Sequence, residues 1–582
     1  MGEEGTPVPL RHARGHWVTR DTVLWDVVPT PGLAFFLLHA REGLDPTSPT
    51  VQRIPLRPAG AASAAVRDRF PHLARYGAFA LDPAAASQAA AILRDQIALL
   101  ATTSDGTPVM ATSVQIPGVV DDVFHYDGPL GVAWEGGGVP TLRLWAPTAR
   151  SVALRLFASS SSADGEIAPM ARDETTGVWS IRGTPAWNRQ FYLYDIEVFA
   201  PSRGRVERNL VTDPYSLSLS TNSRRSQIVD LEDPSLRPAG WVSLRKPPLA
   251  SPVDAVIYEL HVRDFSIRDL TVPEAHRGTF AAFTHAGSNG MAHLRGLAQV
   301  GLSHIHLLPV FDFATVNEAK GERIEPDAGQ LGAFPPDSDR QASLLAPLRD
   351  KDGFNWGYDP LHYGAPEGSY STDPDGPARI LEFREMVEAL AKAGLRVVMD
   401  VVYNHTHANG QDPLSILDRI VPGYYHRLDG DGKVQNSTCC SNTATEHRMM
   451  EKLMVDTVMR WARAYKVDGF RFDVMGHHMV SNMARVRAAL DTLTLELDGV
   501  EGRGIYVYGE GWDFGEVAGN ARGRNATQLN LAGTGIGTFS DRLRDGVRGG
   551  GAFGAPQEQG FATGLADDPN GTAQGTPAEI AR

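Results

Sequence analysis

From residue 254 onward the sequence alternates short apolar runs with segments of helical periodicity, and few folds accommodate that alternation. The runs read A-V-I-Y-E-L at 255–260, H-I-H-L-L-P-V at 304–310, L-R-V-V-M-D-V-V at 395–402, V-D-G-F-R-F-D-V at 467–474 and G-I-Y-V-Y-G at 504–509. Between them Met291, Leu294, Leu297 and Ala298 share one helical face. So do Ile380, Phe383, Val387 and Leu390, in a helix expected over 377–393 and stopped by Gly394; another is expected over 446–465. Strands that are apolar throughout and separated by helices pair in parallel and are covered on both faces. A (β/α) barrel fits best. A doubly wound sheet would also place ligands at strand ends, but no G-x-G-x-x-G follows the first strand.

In such barrels chemistry gathers at the C-terminal ends of strands, which here picks out Glu259, His261, Pro309, Asp400 with Asn404 and His405, Asp473, and Glu510. Arg471 and Asp473 are two residues apart, so on a strand they project from one face. A guanidinium beside a carboxylate holds it ionised, which makes Asp473 a candidate nucleophile. An isolated R-x-D is more often a structural ion pair; the second acid changes the balance. Glu510 lies between Gly509 and Gly511, with Tyr508 and Trp512 as an apolar surround that favours its protonated form and suits a general acid. One ionised and one neutral carboxylate is what glycoside hydrolysis requires, at about 5 Å separation when configuration is retained.

With about 150 residues per domain as a guide, 582 residues imply three or four units, and the fold class expected is multidomain α/β plus all-β. Residues 1–120 form an N-terminal accessory domain, with an Ala-rich helix over 82–100 that starts at Asp82-Pro83. Residues 121–236 carry strands at short spacing and form a β-sandwich, in which Trp145, Trp179, Trp187 and Tyr192 are core rather than sugar platforms. A Pro-rich linker, 237–253, precedes the barrel region, 254–582. A net charge of −14 argues against a phosphate-backbone partner, and no apolar run reaches 18 residues, so neither nucleic acid nor membrane is expected. The two cysteines, Cys439 and Cys440, are adjacent and cannot make a disulfide framework. A reducing compartment, or indifference to redox, follows. The first residues lack the basic and apolar regions of a signal peptide, and a cytoplasmic protein or one of the plastid stroma is expected. His405, His407, His477 and His478 lack zinc-ligand spacing, so no catalytic metal is expected; the loop D-G-D-G at 429–432 suits only a structural calcium.

Four segments together resemble the α-amylase superfamily of glycoside hydrolases: D-V-V-Y-N-H at 400–405, G-F-R-F-D at 469–473, Y-G-E-G-W at 508–512, and F-N-W-G-Y-D-P at 354–360, the last similar to the marker of the pullulanase and limit dextrinase branch. The order of the flanking domains resembles that branch too, with the sandwich in the place of a starch-binding-type module. The resemblance implies Asp473 as nucleophile and Glu510 as acid and base. It implies Arg471 as positioning residue, Asp400 as organiser of its strand end, Tyr358 and His405 against the sugar at the cleaved side, and Trp512 and Phe514 as aromatic platforms. The implied substrate is an α-glucan cleaved at α-1,6 branch points by a monomer without a required cofactor. The alternatives are another branch, an isoamylase or branching enzyme, and a catalytically silent glucan binder. One departure stands out: the superfamily's third carboxylate has no counterpart after Glu510, and six strands are counted, not eight, the last near 535–540. A C-terminally incomplete chain is therefore expected, one that is inactive by itself although the protein it represents is a glycoside hydrolase.

Overall fold

A computed structural model describes residues 10, 12–48, 50–349 and 351–571. The first seven strands, Gly15–Thr19, Thr22–Trp25, Leu33–Ala40, Gln52–Ala61, Gly77–Ala80, Gln96–Thr103 and Pro108–Gln115, close a barrel in the order first, second, fifth, fourth, third, sixth, seventh. The helix expected over 82–100 is a correction. Only the single turns Pro83–Ala86 and Ala89–Ile92 are helical, and Gln96–Thr103 is a strand. It pairs along one edge with Leu33–Ala40 and along the other with Pro108–Gln115, so tertiary pairing overrides the alanine-driven preference.

Two antiparallel sheets follow. One is built on Ala149–Phe157, Phe191–Ala200 and Arg205–Val211, the other on Val178–Arg182, Val139–Trp145 and Gly131–Glu135. Trp145, Trp179 and Tyr192 are buried in the core, as expected of aromatic residues in sandwich strands, whereas Trp187, in the turn Pro185–Trp187, is only half-buried. The indole N–H groups of Trp145 and Trp179 donate to the Phe124 and Ala146 carbonyls at 2.9 and 3.0 Å.

The remaining residues build a six-stranded, all-parallel sheet whose neighbours follow chain order: Ile257–Leu260, His304–Leu307, Arg396–Val401, Gly469–Phe472, Tyr506–Gly509 and Gly537–Thr538. The helices Asn289–Gln299, Ala378–Lys392 and Arg448–Tyr465 connect them. Arg448–Tyr465 buries Leu453, Met454, Val458, Trp461, Ala462 and Tyr465 at three- and four-residue spacing, and ends where Lys466 turns left-handed. The proline-rich segment before the first parallel strand is pinned down. Lys246 pairs with Asp468 at 2.7 Å, Lys466 Nζ donates to the Trp241 carbonyl at 2.8 Å, and Arg396 donates to the Pro247 carbonyl at 2.8 Å.

Buried charge joins the sandwich to the parallel region. Arg379 lies between Asp312 and Glu318, and His362 bridges Asp312, at 2.6 Å, and Thr212 of the sandwich, at 2.7 Å. Glu318 accepts the Asn222 amide at 2.6 Å. Burial, reinforced by Asp312 and opposed by Arg379, pushes Glu318 from 4.5 up to about 7. Between those pH values the native state keeps a proton that the unfolded state has released, so the stability held below pH 4.5 is lost as pH rises to about 7 and is level beyond. The stability of Glu318→Gln relative to the parent is therefore expected to shift in the variant's favour as pH rises from 4.5 to 8. Urea unfolding at both pH values measures this; a difference independent of pH would refute it.

Candidate active site

The cross-strand register brings the acids together. Asp400 on the third parallel strand lies opposite Arg471 on the fourth, and Arg471 opposite Tyr508 on the fifth. One Arg471 nitrogen, Nη1, donates to Asp400 Oδ1 at 2.9 Å and to Asp473 Oδ1 at 2.8 Å, while Nη2 meets Glu510 Oε1 at 2.8 Å. A single guanidinium thus holds three carboxylates from three adjacent strand ends, and they raise its own pKa. Asp400 is fully buried and also accepts the Tyr358 hydroxyl at 2.7 Å. Asn404 Nδ2 donates to Asp473 Oδ2 at 2.9 Å and to its carbonyl at 2.8 Å. The Asn404 side-chain oxygen lies 2.6 Å from His405 Nδ1, and His405 Nε2 lies 2.8 Å from the Tyr358 carbonyl. Asp473, Glu510, Arg471, Asp400, His405 and Tyr358 therefore form one hydrogen-bonded network.

Trp512 and Phe514 lie outside that network. Both are half-buried on the segment that leaves Glu510, and the Phe514 ring leans on His477 at 4.7 Å. The flanking glycines answer to close approach: a Cβ at Gly509 would sit 2.4 Å from the Phe472 carbonyl oxygen, and one at Gly511 would sit 2.7 Å from the Gln528 backbone nitrogen.

Burial pushes both catalytic candidates above the usual carboxylate range. For Glu510 this agrees with a proton donor, with Arg471 opposing the shift and Asp473 adding to it. For Asp473 it corrects the expectation that the guanidinium dominates: burial is the larger effect and raises the carboxyl, while Arg471 and Asn404 pull it back down.

Two contributors were not legible in the sequence. Val474, directly after Asp473, has φ of 41°, a conformation that a β-branched residue seldom adopts, and its N–H donates to Glu510 Oε2 at 3.0 Å. His306 lies between Asp400, at 3.3 Å, and Glu259, at 3.4 Å. His261 is turned elsewhere, 2.7 Å from the Asn355 carbonyl and 3.0 Å from the Tyr370 hydroxyl. Among the described residues, two groups of three bring possible metal-ligating atoms together, His405 with Cys439 and Cys440 and Asp312 with Glu318 and Glu367; neither includes His407, His477 or His478. In the loop 429–432, Asp429 accepts the Asp431 and Lys433 amides and Asp431 meets His12 at 2.6 Å.

Residues 12–122 match the family model of the pullulanase N2 domain, and residues 129–216 that of carbohydrate-binding module 48, the isoamylase N-terminal domain. The chain is 43% identical to the chloroplastic pullulanase 1 of Arabidopsis thaliana, with 98% of this chain and 59% of that one covered. It is 39% identical to a pullulanase of Klebsiella pneumoniae, with 96% and 54% covered. The chain thus spans little more than half the length of these relatives. Among solved structures, PulA of Klebsiella oxytoca superposes with a TM-score of 0.91 at 37% identity, covering 98% of this chain and 58% of that one. The Klebsiella pneumoniae pullulanase in complex with maltotriose gives 0.88 at 38% identity, covering 96% and 56%. With likeness running through both N-terminal modules and on across the strand ends that carry the three acids, the chain belongs to the pullulanase family.

Proposed function

We propose that this chain carries the catalytic centre of a retaining hydrolase of α-1,6-glucosidic linkages in pullulan, limit dextrins or related α-glucans. The observation that carries the reading is the Arg471 guanidinium joining Asp473, Glu510 and Asp400 at adjacent parallel strand ends. The likeness to a maltotriose-bound pullulanase supports the choice of substrate. The six parallel strands are read as six of the eight of a (β/α)8 barrel, whose C-terminal strand ends hold the site.

The chemistry needs side chains alone. An Asp473 carboxylate oxygen bonds to the anomeric carbon as that carbon's bond to the bridging oxygen breaks, and Glu510 gives its proton to the departing oxygen. Water then attacks the glycosyl ester, loses its proton to Glu510 and releases Asp473 with the configuration retained. Arg471, tied to both acids, fixes their relative position, and Tyr358 links that arrangement to Asp400. Tyr358 and His405 lie against the sugar at the cleaved side; Trp512 and Phe514, half-exposed beyond Glu510, face neighbouring glucose units.

Pullulan treated with a form of the protein as long as its relatives is expected to yield maltotriose, with the α-anomer as first product by proton NMR. Because Asp473 must ionise and its carboxyl is raised, the acid limb of the rate profile should lie above the range of a free aspartate. Products cut at α-1,4 bonds, or a first-formed β-anomer, would refute the assignment.

A further inference from the structure

One face of the first three parallel strands carries a titratable ring that the chemistry above does not use. His306 lies directly across from Glu259 on the first strand and from Val398 on the third. Asp400 is two residues beyond Val398, so Glu259, His306 and Asp400 share that face. The His306 ring is buried, and each of its nitrogens meets a carboxylate. Nδ1 lies 3.4 Å from Glu259 Oε2, and Nε2 lies 3.3 Å from Asp400 Oδ2. The edge of the ring rests on Tyr508 of the fifth strand, with 6.3 Å between centroids. Tyr358 and Arg471 reach it through Asp400.

Two acceptors on one imidazole impose a proton count. A neutral ring has one N–H and one lone pair, so one of the two lines would set a lone pair against a carboxylate; a ring protonated at both nitrogens donates along both. The Asp400 line bears on the reaction centre. Asp400 Oδ2 also accepts the Tyr358 hydroxyl at 2.7 Å, and Arg471 Nη1 lies 2.9 and 3.2 Å from the two Asp400 oxygens. Once the proton leaves Nε2, Asp400 Oδ2 turns away from the exposed lone pair, and the groups bonded to the same carboxylate move with it. Arg471 is one of them, and it holds both Asp473 and Glu510.

We propose that His306, held by Glu259, is a positioning residue of the hydrolytic site that acts through Asp400. Doubly protonated, it clamps the carboxylate that Tyr358 and Arg471 share; on losing a proton it releases that carboxylate. The working form therefore carries two protons that rising pH removes, one on Glu510 and one on the line between His306 and Asp400. The inference rests on the hydrolase reading above, and its test separates the two.

The measurement is kcat/KM for pullulan against pH in a form of the protein as long as its relatives. In the parent, log kcat/KM should fall on the alkaline side with a slope of about two, one for each proton lost. His306→Gln leaves an amide nitrogen near the place of Nε2 but nothing there that titrates, so its slope should be about one. Its kcat at the optimum should be lower on the order of tenfold, the effect of one hydrogen bond to a charged group, with KM little changed. Glu259→Gln removes a carboxylate that favours the doubly protonated ring, so its alkaline limb should move to lower pH. Should His306→Gln not fold, the shift in Glu259→Gln decides by itself. A slope of about one in the parent, the same slope in His306→Gln, or an unmoved limb in Glu259→Gln overturns the inference and leaves the hydrolase reading intact. Absence of pullulan hydrolysis by the parent removes both.

Discussion

Replacing Glu510 by Gln is expected to lower the rate on pullulan by on the order of 10²–10⁴-fold, the contribution of a positioned general acid. Gln keeps the size of the side chain and an oxygen able to accept the Val474 N–H, but it has no proton to give. The defect should depend on the leaving group. A sugar hydroxyl departs poorly without protonation, whereas fluoride departs without help, so maltotriosyl fluoride should keep most of its rate of glycosyl transfer to Asp473. Asp473→Asn removes the nucleophile and should abolish turnover of both substrates. Steady-state rates of the two variants on the two substrates check this. Equal loss on pullulan and on the fluoride for Glu510→Gln would mean that Glu510 is not the proton donor, and the acid would then have to be sought among the other groups on Arg471.

The success and failure of sequence reading divide along the range of the interactions. Arg471 and Asp473 were legible because a strand repeats every two residues and needs no neighbour to put them on one face. Glu510 was legible because glycines on both sides mark a close backbone approach, which the Phe472 carbonyl then supplies. The parallel strands were legible because burial on both faces leaves continuous apolar runs. The alignment of Asp400 with Arg471 was not, since strand register is a tertiary fact. Nor was the left-handed Val474, a residue type that argues locally against its own conformation and is held by contacts made elsewhere. The 82–100 segment failed for the related reason that alanine favours helix locally while Gln96–Thr103 has two strand partners. Cys439 and Cys440 read as inert because adjacency rules out a stapling role, and nothing in the sequence places them beside His405.

Arg471 offers the severest test of the site, because among the described residues it is the one cation bonded to all three acids. In Arg471→Met the fully buried Asp400 keeps the Tyr358 hydroxyl and His306, but Asp473 and Glu510 lose their shared counter-charge. Removing one partner of a buried ion pair typically costs about 3–5 kcal/mol, because the remaining charge is stranded out of water. The variant is therefore expected to lose about that much stability at pH 7, and to have no measurable pullulan hydrolysis. Burial already raises Asp473 and Glu510, with Arg471 the main opposing influence, so without it both carboxyls rise further. The variant's native state then binds protons that the parent's does not, and its stability deficit must shrink as pH falls toward 5. Arg471→Lys keeps the charge but lacks the planar fork that meets three carboxylates at once, so it should recover much of the stability and little of the activity. Urea unfolding of the parent and both variants at pH 7 and pH 5 decides the matter. A deficit that is the same at both values would show that Arg471 acts through packing rather than charge, and the guanidinium would then not be what holds the two catalytic carboxylates in their working states.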